Sequence, residues 1–185
     1  MIRVVPKEPL MSLSMYEVSI AQIDRAFKQL LVFLDKGEAH AAATGEPPGS
    51  FIECRLAADM LPLSAQVQIA TDIAKGCGAR LAGVEVPSYA DDEKTFAELK
   101  ARIEKTLAFL HSLDRAAIDA SADRDIALSI RKQPMLMQGR DYLLAFVLPN
   151  LYFHVTTTYA LLRHKGVVLG KLDYLGPYGS LARPA

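Results

Sequence analysis

Cysteine is scarce in this chain, and the two it has stand too far apart to form a motif. Cys54 and Cys77 are separated by 23 positions among 185 residues, with no CxxC and no Cys/His ligand spacing. That excludes the disulfide framework of small secreted domains and fits a reduced, cytoplasmic compartment in which both thiols are inert. Net charge is missing as well: Lys plus Arg and Asp plus Glu are 21 each. Without a summed field to attract a polyanion, nucleic acid is not an expected partner. Long apolar runs are lacking too. No window approaches the roughly 18 to 20 apolar residues that cross a bilayer, and the run from Tyr142 to Leu148 is interrupted by Pro149 and Asn150. The opening residues MIRVVPKEPL hold two prolines and no apolar h-region, so residues 1–10 read as a loose extension, with Met11 an alternative start, and not as a secretory signal. No repeat or low-complexity tract points to a solenoid.

What is present is material for one core. With 51% hydrophobic residues, the length suits a single domain, placed here at residues 11–176 and followed by a tail at 177–185. Ser14 and Glu17 have the form of a capping box and open a first helix. From it Tyr16, Ile20, Ile23, Phe27, Leu30, Leu31 and Leu34 recur at helical spacing until the pattern fades near Gly45. GEPPGS, residues 45–50, is a connector. A second helix is expected from about Arg55 to Leu81, with Leu56, Met60, Leu63, Val67, Ile69 and Ile73 as core candidates. Pro62 would kink that helix or mark a later true start, and Gly76, Gly78 and Gly83 weaken its last turns. A third helix carries Phe96, Leu99, Ile103, Leu107 and Leu110 and ends near Asp114. Ile126, Leu128 and Ile130 then alternate, as do Met135 and Met137 beyond Lys132-Gln133-Pro134, which predicts a small hairpin. The fourth helix starts near Arg140 or Asp141 and stops before Gly166. It is apolar around much of its circumference: Leu144, Leu148, Val155, Tyr159 and Leu162 form a second side, which motivates a homodimer. The fold class is therefore mainly all-α, a four-helix bundle with a β-hairpin between helices three and four.

Polar groups interrupt one stripe of the fourth helix. Turning 100° per residue aligns Leu143, Val147, Asn150, His154, Thr157, Thr158 and Leu161, while the same projection on the second helix groups Asp59, Gln66, Ile73 and Cys77. Asp59, Gln66, Asn150, His154 and Thr158 are thus pocket candidates. In the functional reading, His154 serves as ligand or base and Asp59 orients it; in the other, the same groups form a satisfied buried hydrogen-bond network. His164 suits the negative end of a helix dipole, and His40 and His111 sit on polar stretches. No GxSxG supports a hydrolase triad. GVVLG, residues 166–170, followed by Lys171, lacks the GxxxxGK[ST] spacing of a phosphate loop. Packing of Leu169, Leu172, Tyr174, Leu175 and Tyr178 onto the bundle is its expected purpose.

Met11 to Glu17 (MSLSMYE), Ala58 to Gln68 (ADMLPLSAQVQ), Leu148 to His154 (LPNLYFH) and Leu162 to Gly176 (LRHKGVVLGKLDYLG) together resemble the bacterial domain of unknown function, family nineteen ninety-three. That family is similar to the DinB-like superfamily of four-helix bundles. The resemblance implies the bundle, homodimers, and relatives that hold a divalent metal on three histidines, among them thiol-dependent transferases and hydrolase-like members. In those relatives, helix four gives two histidines four residues apart and helix two gives a third. Here Thr158 follows His154 at that spacing and the second helix has no histidine, so His154 alone carries over as a metal ligand, with Asp59 or Gln66 as substitutes. Two functions from different classes follow. One is a dimeric module without a complete metal site that binds an unidentified small molecule or acts as an accessory protein. The other is a DinB-like enzyme, metal-dependent (zinc or nickel) or thiol-dependent, acting around His154.

Overall fold

The computed structural model describes residues 13–130 and 132–177. The expected extension at 1–10, Met11 as an alternative start and the tail beyond Pro177, Tyr178 included, lie outside the described residues. The chain is mainly helical, with a small two-stranded sheet.

Ser14 caps a short helix α1 (Met15–Val18): its hydroxyl accepts from the Glu17 N–H at 3.2 Å, and the Glu17 carboxylate accepts from the Ser14 N–H at 3.0 Å. The long first helix is then interrupted at Ser19, a break the apolar periodicity does not reveal. Ser19 is buried, and its hydroxyl donates to the Met15 carbonyl, offering the backbone an alternative to the helical ladder. Helix α2 (Ile20–Thr44) follows and stops at Gly45, whose φ of 68° is left-handed and suits glycine. The proline-rich connector is not wholly irregular. Pro48 opens α3 (Pro48–Ile52), a first-turn position where no N–H is needed, and α3 buries Phe51 and Ile52.

The second bundle helix, α4 (Leu63–Ala82), begins eight positions after Arg55, its expected start. Pro62 marks the true start because Leu61, preceding a proline, is pushed out of helical conformation. Leu56 and Met60 therefore fall outside the helix, and Leu56 is exposed. Gly76 and Gly78 do not end α4. They lie in an unbroken buried run, Ala74 to Ala79, where the absence of side chains lets neighbours approach: a Cβ at Gly78 would overlap the methyl groups of Leu110 and Leu113. The helix ends at Gly83, φ 75°.

Helix α5 (Phe96–His111) is capped by Thr95, and a short α6 (Arg115–Asp119), capped by Asp114, follows it unforeseen. The hairpin stands where the alternation puts it. Strands β1 (Asp125–Ile130) and β2 (Gln133–Gln138) pair antiparallel with Ile126 opposite Met137 and Leu128 opposite Met135. Gln133 and Pro134 belong to β2, and Lys132 takes a positive φ of 64° in the turn.

The fourth bundle helix is composite. A single turn α7 (Gly139–Asp141) leads into a π-helical segment (Tyr142–Val147) and then α8 (Leu148–His164). Pro149, which has no N–H to donate to the Ala145 carbonyl, stands just beyond the wide turn, where the Leu148 N–H bonds the Leu143 carbonyl five residues back. The Asn150 side chain donates to the Phe146 carbonyl at 2.6 Å and ties the junction. The chain ends its bundle at Gly166, φ 86°.

Helix α4 packs against α8 and α5, while α2 packs against both α5 and α8. The second apolar side of the fourth helix is largely filled from within the chain. Val155 and Leu162 are buried, Tyr159 meets the rings of Phe33 and Tyr174, and α9 (Lys171–Leu175) lies across α2. Leu144, Tyr152 and Phe153 stay exposed. In the tail, Leu169 is buried as expected, whereas Leu172 faces solvent.

Gly139 gives a direct test of the α6-to-hairpin junction. A Cβ there would overlap the Ser121 carbonyl oxygen, which is backbone and cannot step aside as a side chain can. Gly139→Ala should lower the unfolding free energy by about 2 kcal/mol or more. Gly49→Ala, where a Cβ meets nothing within 4 Å, should change it by about 0.5 kcal/mol or less, or raise it. Urea unfolding of both variants measures the difference.

Candidate functional site

Gln66 lies on the first full turn of α4 and His154 in the middle of α8, both buried, at 2% and 8% exposure. The packing of α4 on α8 brings them together, and His154 Nδ1 lies 2.7 Å from Gln66 Oε1. The roles of the two atoms follow from the surrounding bonds. Gln66 Nε2 donates to the Leu61 carbonyl at 3.1 Å, so the amide turns its oxygen toward the imidazole. An oxygen only accepts, hence Nδ1 carries the proton. His154 Nε2 then holds a lone pair. Burial holds the His154 pKa below its ordinary value of 6.5, so the ring is neutral at pH 7. Among the described residues, no side-chain nitrogen or oxygen shut off from water lacks a partner. Nε2 has no protein partner there, and so it reaches water. The exposed Phe153 ring sits edge-on to the imidazole at 5.2 Å.

The other candidates from the sequence separate. Asp59 is the plain correction: it lies in an exposed turn ahead of α4, not on the helix, because the helix cannot run back through Pro62. Thr158 is buried beneath His154, and its hydroxyl donates to the His154 carbonyl at 2.9 Å. Asn150 bonds back to Phe146 and takes no part in the pair. Of the remaining histidines, His111 pairs with Asp24 at 2.9 Å, and His40 is half-buried, edge-on to Phe51.

Two features escape the sequence patterns. Arg102 lies on the apolar stripe of α5 between Leu99 and Thr106, a charged residue in a core register, and that misplacement is the signal that could have exposed it. Its guanidinium donates to Thr71 Oγ1 at 2.6 Å, the Ala90 carbonyl at 2.6 Å and Asp72 at 2.7 Å, and it pairs with Asp91 and Glu93 at 2.9 Å. It fastens the loop between α4 and α5 and is fully used in doing so. Burial works against the Glu93 carboxylate, yet bonds from Arg102 and Gln68 still hold its pKa below the usual range. The second feature is a cavity of about 320 Å³ between α2, α8 and α9, on the side of α8 away from His154. It had no sequence signature because its lining comes from three separate segments.

The family model for the domain of unknown function DUF1993 matches residues 15–175. The chain belongs to this family. Among solved structures, it is similar to a DinB family member protein from Shewanella denitrificans, with 38% identity and a TM-score of 0.82 over 90% of this chain and 95% of that one. No curated protein matches it. The DinB-like resemblance raises the question of a divalent ion on three histidines, and the donor set here does not fit one. Around His154, Nδ1 is committed to Gln66, the Thr158 hydroxyl to a carbonyl, and only Nε2 remains. Among the described residues, no three His, Cys, Asp or Glu side chains are placed to hold a metal ion. Nor, among them, is any helix long and apolar enough to cross a membrane.

The depressed His154 pKa has a thermodynamic signature. The unfolded chain takes up this proton near pH 6.5, and the folded chain resists it to lower pH, so the unfolded state binds more protons as pH falls through that value. The His154 contribution to stability is therefore lost as pH falls below about 6.5. His154→Gln removes this contribution. Unfolding free energies at pH 7.0 and 5.5 should differ less in the variant than in the parent chain; equal differences would show that the imidazole is not shielded.

Proposed function

We propose that this DUF1993 member is a dimeric, cytoplasmic small-molecule-binding or accessory module without a complete metal site. The observation that supports this is how the polar groups around His154 are spent: one imidazole nitrogen on Gln66, the neighbouring hydroxyl on a backbone carbonyl, and a single Nε2 lone pair left over. A neutral nitrogen of fixed tautomer is an acceptor for a ligand N–H or O–H, and the adjoining Phe153 ring suits an apolar ligand body. As a zinc or nickel ligand it stands alone, where a catalytic ion needs about three protein donors.

The enzyme reading lacks this support. A thiol-dependent reaction using the chain's own sulfur would need an accessible thiolate. Cys77 is buried and its pKa is pushed up to about 12; burial raises that of Cys54 too. The dimer rests on the part of the fourth helix that the chain does not cover, Leu144 and Phe153.

Protein purified without chelator should contain far less than one zinc or nickel per chain by elemental analysis. His154→Ala should leave that content unchanged while lowering stability by about 1–3 kcal/mol, because the buried Gln66 oxygen loses its donor. Close to one metal per chain, lost in His154→Ala, would overturn the reading in favour of a metalloenzyme. Light scattering at micromolar concentration should give twice the chain mass, and a monomer mass would remove the dimer.

A further inference from the structure

The cavity between α2, α8 and α9 combines apolar walls with a positive charge that no carboxylate among the described residues neutralises. Its volume, about 320 Å³, lies at the small end of ligand sites. Ala26 of α2 and Val155 of α8, both buried, close its inner end, and Tyr152 and Tyr174 supply aromatic walls. Tyr174 is held in place by stacking on Phe33 and by a 2.9 Å hydroxyl contact with Thr156.

Arg25 stands at the rim with Gln22 and Leu175. Its Nε and Nη2 donate to the Leu175 carbonyl at 3.1 and 2.6 Å. Two bonds to one backbone oxygen fix the plane of the guanidinium without offsetting its charge, and the Nη1/Nη2 edge remains for a second acceptor. The nearby acids are already engaged. Asp24 pairs with Lys28 at 2.6 Å and His111 at 2.9 Å, and Asp173 with Lys36 at 2.7 Å and the Gly170 N–H at 2.8 Å.

We infer that this cavity binds a small monocarboxylate with an apolar or aromatic body, the carboxylate on the free edge of Arg25 and the body between Tyr152 and Tyr174. A carboxylate matches the guanidinium edge in two parallel bonds. A neutral ligand would leave the charge as it is, and a dicarboxylate would have to bury its second charge against Ala26 and Val155. The site is separate from the Gln66–His154 pair, since Val155 and Tyr152 face α2 whereas His154 faces α4.

Benzoate is the probe, with benzamide as its neutral counterpart and acetate as the carboxylate without a body. Titrated into the full chain and followed by NMR, benzoate should saturate and shift the Tyr152, Val155 and Tyr174 resonances. Benzamide and acetate should each bind about tenfold more weakly or less. Arg25→Gln should weaken benzoate by a similar factor. Ala26→Leu, which fills the inner end and leaves Arg25 in place, should abolish binding, and Gly49→Ala, outside the lining and with open space for a Cβ, should leave it unchanged. Far-UV circular dichroism checks that the variants fold, and the benzoate–benzamide comparison needs no variant. No saturable shift at these residues with millimolar benzoate, or equal binding of benzoate and benzamide, overturns the inference. So does benzoate binding that weakens as chain concentration rises, because a second copy would then occupy the cavity.

Discussion

A helix enclosed on nearly every side can be built only where its neighbours are allowed to touch its backbone, and α4 is such a helix. From Ala74 to Ala79 every residue is buried, with α8 on one flank, α5 on another, and α6 and the π segment against its end. Glycine and alanine make this possible. At Gly78 the methyl groups of Leu110 and Leu113 occupy the space a side chain would take, and Ile20 reaches the same spot. The helical propensity lost at these glycines, about 1 kcal/mol each, is offset by dispersion contacts that larger residues would prevent. The bundle geometry, and with it the meeting of Gln66 and His154, follows from how closely α5 and α8 can approach α4.

Enclosure also decides what polar chemistry survives inside. A buried imidazole with no partner would cost several kcal/mol, so His154 occurs with a glutamine that is itself anchored to the Leu61 carbonyl. Each link fixes the next: the backbone oxygen orients the amide, the amide sets the tautomer, and the tautomer makes the remaining nitrogen an acceptor. Arg102 shows the same economy at the other face of α4. Its charge is tolerated because its donors are distributed among a threonine, a carbonyl and three carboxylates.

Much of the fold is legible in the sequence because amphipathic periodicity is a local property. The stripes from Ile20 to Leu34 and from Phe96 to Leu110, the capping box at Ser14, and the alternation from Ile126 to Met137 each need only a short stretch of chain. What stays illegible depends on contacts between segments. Asp59 projects well onto an ideal helix, but no projection shows that the helix starts beyond Pro62. Gly76 and Gly78 read as weak points of the helix unless it is known that Arg80 lies over the first and Leu110 and Leu113 over the second. The break at Ser19 turns on a single hydroxyl. The Gln66–His154 alignment could be drawn from residue spacing, whereas the lining around Arg25 gathers side chains whose positions span 22 to 175, and no local pattern registers such a gathering.

The wide turn at Tyr142–Val147 also bears on how this helix can change over evolutionary time. A π turn amounts to one surplus residue accommodated within an otherwise α-helical path. Deleting one position there would restore a tight spiral upstream of Pro149 and rotate everything before it by about 100° relative to α8. Tyr142, now buried with its hydroxyl 3.2 Å from Arg80, would swing off α4, while His154 would keep its place opposite Gln66. The two halves of the fourth helix are therefore separable modules: length changes ahead of Pro149 alter the hairpin end of the bundle, and the histidine end is insulated from them.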